Sequence, residues 1–449
     1  MPSSHHRIRR TIWPTLLLAG LLMLLAMPAA AHSALQSAEP APDSTTDEPV
    51  QTLTLVFAEP IDVLPESIMV AGPDGQPLPV GASSRAADGV TVSATLGAPL
   101  PTGTSTVAWR VIGGDGHPIE GTYTVTSIQQ PAAVGADAPT STVTPSAAAS
   151  SSLAGEPRAP EIVQTAGRWL AFAAILVAMG VIAFGVAVHP DSRADQQLLS
   201  RLVTGAAIAV IIGATLQLLG HVAVIAGEGM TGATDMAAWG IVRRSGYMTA
   251  SLLRIAGGAV LLVGARGFVR WSHDPSHVGP LLLGAAALLL SFQFTGHTAT
   301  STPTLLVRIA DAAHVTAAAV WTGGVVALSA VLAARRRRRD DTSLVVGRFS
   351  VAATGAVVLV GVAGTALAVI ELESVGQLFT SGYGRILLGK LAIVGLVAAV
   401  GAFNHTRLVP AIVGGDDRAA ARMQRTMRME LGLFPVAIAL TAVLVRMSP

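Results

Sequence analysis

Apolar runs long enough to cross a membrane dominate the chain from residue 162 onward. A helix needs about 20 apolar residues to span the hydrocarbon core of a bilayer. Eight such runs occur, at 162–188, 200–226, 248–270, 279–296, 306–333, 345–370, 384–406 and 429–447. Only 12% of the 449 residues are charged, whereas soluble chains average about a quarter. The sequence therefore predicts an all-α polytopic membrane bundle of about eight transmembrane helices over residues 161–449.

The arginines predict the orientation of this bundle. Most of them, including the run Arg335–Arg339, fall in or beside alternate loops of the bundle. Positive charge marks cytoplasmic loops, so the first span enters from the outside. The arginine run is then a topology anchor, and no basic arm with interleaved aromatics indicates a nucleic-acid partner. We expect a multi-pass protein of the cytoplasmic (inner) membrane, embedded in the lipid bilayer, with its N-terminal domain extracytoplasmic.

Residues 1–31 have the three parts of a secretory signal peptide. A basic start precedes an apolar core at Leu16–Leu25, and Ala29–Ala31 fits the usual cleavage pattern. Cleavage after Ala31 would make His32 the first residue of the mature chain, with a free α-amine. The alternative is that the segment stays in place as an anchor.

Residues 32–128 have the pattern of a small β domain. Segments such as "LTLVFAEPI" (Leu53–Ile61) and "STVAWRVI" (Ser105–Ile112) alternate apolar and polar residues, with Gly and Pro turns between them. Short strands of this kind predict an Ig-like sandwich. The following stretch, 129–160, is rich in Ala, Ser, Thr and Pro and has no apolar periodicity, so we expect a disordered, flexible linker.

The β domain also carries a candidate metal site. Cysteine is absent from the chain, so any metal must bind through His, Met, carboxylate or backbone groups. Asp115 and His117 stand two apart in "GGDGHP" and share one side of an extended segment. His32 adds an imidazole and an α-amine, whose reference pKa is only about 8. Such a nitrogen- and oxygen-rich set suits Cu(II), although D-G-H alone is also a common turn.

These segments resemble a known family. The start "HSALQSAEPAPDS", the strand "LTLVFAEPI" and the block "VAWRVIGGDGHPIEGTYTVT" are similar to the CopC family of exported copper-binding proteins. The resemblance covers essentially all of 32–128 and implies a β-sandwich that holds Cu(II) through His32, Asp115 and His117. Some relatives add a methionine-rich Cu(I) site, but this domain has only Met69.

Three histidines lie toward the outer ends of predicted spans. His221, His297 and His314 could together form the site where copper enters the membrane domain, because ionisable groups in spans are candidates for function. Asp311 precedes His314 by three residues on one helix face and is a candidate to fix its tautomer. The alternative is that each histidine only satisfies hydrogen bonds between helices.

A second resemblance bears on this half. "TGHTAT", "DAAHVTAAAVWTGG" and the segment around "SGYGRILLGKLAIVG" are similar to the CopD family of membrane copper proteins, which implies a helical domain associated with copper uptake. His189 and His405, at inner span ends, are candidate exit ligands for Cu(I) or Cu(II). Met423 and Met427 precede the last predicted span and Met429 begins it; thioethers there would suit Cu(I), but packing is the more common role. "SGYMTASLLR" (Ser245–Arg254) and "SGYGRILLGK" (Ser381–Lys390) also echo each other.

The sequence thus predicts a copper acquisition protein that captures Cu(II) outside and moves copper across the membrane, most simply inward. Copper ions are the expected partners, and exported copper chaperones are candidates. No P-loop is present. The alternatives are a membrane-tethered resistance or sensor protein without transport, a copper monooxygenase, or a haem redox protein ligated by His221 with His297 or His314. Because the anionic Asp115 favours holding Cu(II), we expect no enzymatic activity.

Overall fold

The computed structural model describes residues 35–58, 60–113, 118–128, 159–188, 192–227, 229–269, 278–295, 303–372 and 374–445. The predicted signal peptide and nearly all of the predicted linker lie outside these residues. What is described forms a β-sandwich followed by a helical bundle, which is the predicted fold class.

The N-terminal part consists of two packed β-sheets. The strands are β1 (Leu35–Glu39), β2 (Ser44–Thr46), β3 (Thr52–Phe57), β4 (Ile61–Ala71), β5 (Pro77–Leu78), β6 (Ser84–Arg85), β7 (Thr91–Thr95), β8 (Gly103–Gly113) and β9 (Pro118–Ser127). One sheet has the order β1-β3-β7-β6 and the other β2-β9-β8-β4-β5. The alternating residues Leu53, Leu55 and Phe57 of β3 are almost fully buried between the sheets, as the sequence pattern predicts.

An aromatic pair closes one end of this core. Phe57 meets Trp109 edge-on, with ring centroids 5.2 Å apart. The indole of Trp109 lies across the backbone of β9 at Gly121, where a Cβ atom would come within 2.5 Å of the ring. Glycine at position 121 is therefore required for the ring to pack flat on β9.

The C-terminal part is helical. Its helices are α1 (Ala159–Val188), α2 (Arg193–Ala226), α3 (Met236–Val242), α4 (Gly246–Ala265), α5 (Gly279–Leu290), α6 (Thr304–Arg338), α7 (Ser343–Glu371), α8 (Gln377–Thr380), α9 (Gly382–Phe403), α10 (Val409–Val413) and α11 (Asp417–Leu444). Seven helices of the described residues are long and apolar enough to span a membrane, and the shorter apolar segment Gly279–Phe294 occupies the fourth predicted position. The chain is a multi-pass membrane protein.

Several span boundaries differ from the predicted ones, and two of the differences follow from particular polar side chains. The fourth apolar segment ends in a 3-10 turn because Ser291 and Gln293 interrupt it and bond to polar groups of neighbouring helices. The last helix begins at Asp417, twelve residues before the predicted 429. Asp416 caps it by accepting hydrogen bonds from backbone N–H groups of its first turn, so the Arg-rich stretch expected as a loop is helical.

Glycines bring the long helices into close contact. α1 and α6 cross at Gly180 and Gly323, where a Cβ at position 180 would lie 2.5 Å from the Cα of Gly323 and closer still to the carbonyl oxygen of Ala319. Small residues let helix backbones approach in membranes, where dispersion and not water exclusion holds helices together. This crossing joins the first half of the bundle to the second.

The two segments that echo each other in sequence start equivalent helices. Ser245 precedes α4 with φ −88° and ψ 158°, and Ser381 precedes α9 with φ −86° and ψ 155°. The tyrosines two residues later, Tyr247 and Tyr383, are both buried. The echo therefore marks two helices that begin in the same backbone conformation.

At the Arg-rich end of the bundle, charges tie α2 to α6. Arg335 donates from Nε to Oδ2 of the fully buried Asp195 at 2.6 Å, and Arg338 binds the other oxygen. One carboxylate thus bridges two guanidinium groups where the helices leave the apolar region.

Candidate functional site

Strand pairing brings together the ends of the strands that are next to the predicted capture residues in the sequence. Leu35 at the start of β1 pairs with Phe57 at the end of β3. Ile61, which begins β4, pairs with Gly113 at the end of β8, and β9 begins at Pro118. These five positions therefore lie at one end of the sandwich.

His32 precedes Leu35 by three residues, and Asp115 and His117 lie between β8 and β9 in the sequence. All three residues lie outside the described part of the chain. Their assignment as Cu(II) ligands stays a prediction, and the neighbouring strand ends carry the geometric support for it.

The same end of the sandwich packs on the membrane domain. Ile112, one residue before the end of β8, is 1% exposed and belongs to an apolar cluster formed with the membrane domain. We call this cluster the docking patch; it comprises Ile112, Leu218, Val222, Ile225, Ala238, Val242 and Tyr247, with Leu64 partly buried against it. Arg110 adds a polar contact by donating from its guanidinium to the carbonyl oxygen of Val224 at 3.1 Å.

His221 lies directly beneath the docking patch. It shares a face of α2 with Leu218 and Ile225 and is fully buried. Its ring stacks on Tyr247, a patch member, with centroids 3.8 Å apart. The side-chain amide N–H of Gln164 donates to Nδ1 at 3.0 Å, which places the proton of the neutral ring on Nε2. The lone pair of Nδ1 is therefore engaged by Gln164.

His314 has the opposite tautomer. Its Nδ1 lies 3.2 Å from the backbone carbonyl oxygen of Val360. A carbonyl only accepts, so Nδ1 carries the proton and the lone pair of a neutral ring is on Nε2, as a metal ligand requires. Gly364 on α7 makes room, since a Cβ there would lie 3.0 Å from the imidazole.

Asp311 is occupied elsewhere. It accepts a hydrogen bond from the amide of Gln293 at 3.2 Å, and Lys390 is near enough to interact electrostatically with both Asp311 and His314. In the structure the carbonyl of Val360, and not Asp311, holds Nδ1 of His314. Asp311 offsets the charge of Lys390 beside the imidazole.

The structure does not bring together the two predicted outer histidines that it describes, His221 and His314. His221 lies among α1, α2 and α4, whereas His314 lies against α7 and near α9, so their immediate neighbours differ. His297 and the predicted exit ligand His189 fall outside the described residues. Within the parts of the chain that are described, no three His, Asp or Glu side chains group as a metal site would require.

His405, the other predicted exit ligand, lines a cavity of about 210 Å³ near the Arg-rich end of the bundle. Its Nδ1 lies 2.7 Å from the hydroxyl of Ser350. Local sequence patterns do not identify the polar partners Gln164, Gln293 and Ser350, because each contacts a side chain on a different helix.

Three family models match the chain in succession. The CopC domain matches residues 35–127, the N-terminal domain of copper resistance protein D-like proteins matches 159–307, and copper resistance protein D matches 343–444. Copper resistance protein C of Escherichia coli is 36% identical over 118 residues, which cover 25% of this chain and 93% of that protein. The chain belongs to the CopC–CopD fusion family.

This CopC–CopD fusion has a curated relative along most of its length. Copper transport protein CutJ of Bacillus subtilis (strain 168) is 26% identical over 417 residues, which cover 88% of the chain and 72% of that protein. Among solved structures, PcoC, a methionine-rich copper resistance protein from Escherichia coli, is 30% identical and covers 22% of the chain and 99% of its own, with a TM-score of 0.20. CopC from Methylosinus trichosporium OB3b is 24% identical and covers 23% and 100%, with a TM-score of 0.21. The fusion handles copper.

Proposed function

We propose that this CopC–CopD fusion captures Cu(II) with its β domain and hands copper to its membrane domain, which carries it into the cell. One observation carries the proposal: the end of the sandwich that flanks His32, Asp115 and His117 is the end that packs on the membrane domain. A domain that only stored metal would have no need to present that end to the bundle.

The orientation of the bundle supports inward movement. The arginines gather at the end opposite the docking patch, where Arg335 and Arg338 bind Asp195. Positive charge marks the cytoplasmic side, so the β domain lies outside at the cytoplasmic membrane. Copper received beneath the patch then has the cytoplasm at the far end of the same bundle.

Attachment of the two parts to one chain favours the transfer. Residues 129–158 join the β domain to the bundle in the sequence, and covalent attachment raises the effective concentration of one module at the other. A small patch is then sufficient to populate the docked state. The patch also allows release, which a domain that reloads from solvent or from an exported copper chaperone needs.

Replacing Ile112 by aspartate tests the hand-over. Ile112 belongs to the docking patch and not to the core cluster of the sandwich, so Ile112→Asp should leave the β domain folded. Loss of one buried apolar side chain would weaken the free energy of docking by about 1.5–3 kcal/mol. Each 1.4 kcal/mol changes the docking equilibrium constant about tenfold. We expect uptake of radiolabelled copper into proteoliposomes at low copper to fall about tenfold, with Cu(II) affinity unchanged.

The matched control is Met69→Asp, which places the same charge on an exposed position of β4 and should take up copper like the wild type. Equal uptake by Ile112→Asp and wild type would reject docking as the route. Absence of uptake by the wild type, with tight Cu(II) binding retained, would reject transport and leave a membrane-tethered resistance or sensor protein.

A further inference from the structure

The cavity near the Arg-rich end has an unusual lining for an apolar bundle. It lies between α6, α7, α9 and α11 and is bordered by His405, Asn404, Met423, Met427, Glu430 and Ser350. Arg336 near the end of α6 donates to the amide oxygen of Gln424, the neighbour of Met423. This contact fixes the lower part of the cavity beside the arginine cluster.

His405 lies in a π-helical turn, Asn404–Leu408, that interrupts the helix after Phe403. Such turns are rare and occur frequently at functional sites. The hydroxyl of Thr354 donates to the carbonyl oxygen of Ser350 at 2.8 Å, so toward Nδ1 of His405, 3.4 Å away, it can only accept. The hydroxyl of Ser350, 2.7 Å from Nδ1, can accept a hydrogen bond as well as donate one. When it accepts, Nδ1 carries the proton and the lone pair of Nε2 is available to a ligand.

Met423 and Met427 stand one helical turn apart on α11 and are 3% and 2% exposed. Both border the cavity, whereas Met429, two residues further, is 58% exposed. Thioethers are soft ligands that select Cu(I), and an imidazole is a nitrogen ligand that also suits copper. In a chain without cysteine, methionine is the softest ligand that the protein can offer.

Glu430 supplies the charge that suits a monovalent cation. Its carboxyl is 2% exposed and borders the same cavity. Asn404 donates to Oε1 at 2.9 Å and accepts from Thr426 at 2.6 Å, which fixes the amide and the carboxyl in place. One carboxylate balances one Cu(I), so the filled cavity would be close to neutral.

We propose that this cavity is a Cu(I)-binding site with Met423, Met427 and His405 as ligands and Glu430 as the balancing charge. The site is independent of the capture site in the β domain, and its binding test does not depend on transport. Within the proposed function it would be the last copper-binding site before copper leaves the bundle on the cytoplasmic side.

The test measures Cu(I) binding by the full-length protein in detergent, with Cu(I) supplied from a chromogenic Cu(I) chelator. All chains carry Asp115→Ala and His117→Ala to silence the capture site. On that background we compare the parent with Met423→Leu/Met427→Leu, a volume-conserving change that membrane helices tolerate. Met429→Leu is the matched control, because it removes a thioether from the lipid-facing side of the same helix.

We expect the double variant to lose one equivalent of chelator-competitive Cu(I), together with the copper–sulfur signal in the X-ray absorption spectrum, while Met429→Leu retains both. His405→Gln should bind at least tenfold more weakly and keep the sulfur signal. Equal Cu(I) binding by the parent and the double variant, or a parent spectrum without sulfur scattering, would overturn the proposal. Neither result would bear on whether the bundle transports copper.

Discussion

Replacing both His297 and His314 by alanine is expected to abolish copper uptake into proteoliposomes while Cu(II) binding by the β domain persists. His314 lies about three turns into α6, its Nδ1 proton is directed at the carbonyl of Val360, and Nε2 is left as a donor to metal. His297 belongs to the segment just before α6 in the sequence. Removing both imidazoles would take away the two histidine ligands that the sequence predicts for this point of the path.

The matched control is His273→Ala/His277→Ala, which removes two histidines from the sequence between the predicted spans 248–270 and 279–296 and should transport normally. Uptake by the His297/His314 variant at the wild-type rate would show that copper crosses by another route. His221 would then be the next candidate, and Gln164→Leu, which releases Nδ1 of His221 from its hydrogen bond, would test it.

Adding a single methyl group at Gly180 is expected to be the most damaging small change in the bundle. The new Cβ would meet the backbone of α6 at Gly323 and Ala319, and neither can move aside as a side chain could. Overpacking costs about 1–3 kcal/mol in ordinary cores, and we expect the upper part of that range. At about 2–4 °C per kcal/mol for a domain of this size, Gly180→Ala should melt roughly 5–10 °C lower in detergent.

Gly205→Ala is the matched control, since it makes the same substitution in α2 where a Cβ has nothing within 4 Å. It should melt at the wild-type temperature or slightly above, because alanine favours a helix over glycine by about 1 kcal/mol. Identical melting of both variants would mean that the α1–α6 crossing does not determine the stability of the bundle.

The broad architecture could be predicted from the sequence because it depends on periodicity. Alternation in "LTLVFAEPI" corresponds to β3, and the apolar runs correspond to the long helices. The short edge strands β2, β5 and β6 contain two or three residues each, which is too few to show an alternation of apolar and polar residues. The predicted start of α11 was wrong because the many charged residues at 417–428 indicate a loop. The buried face of this segment is narrow and includes Ala419, Met423 and Met427.

The site could be predicted only in part, because its contacts join distant segments. Ile112 reads as one more core residue of β8, and nothing in the local sequence distinguishes a side chain that faces the sandwich from one that faces another domain. Likewise the tautomers of His221 and His314 depend on Gln164 and Val360, which are 57 and 46 residues away along the chain. Motif spacing can select ligands but cannot supply the groups that orient them.

The β domain docks on the bundle through the same end that is proposed to capture copper, and this has a kinetic consequence. While the β domain is seated, the end that would collect metal is turned toward the bundle and away from solvent, so each reloading requires departure. Among the described residues, Ile112, Leu64 and Arg110 of the domain take part in the contact. At saturating copper, dissociation of the emptied β domain would then set the maximal rate of transport. A larger docking patch would slow the cycle, because each additional 1.4 kcal/mol of docking free energy lengthens the residence time of the docked domain about tenfold.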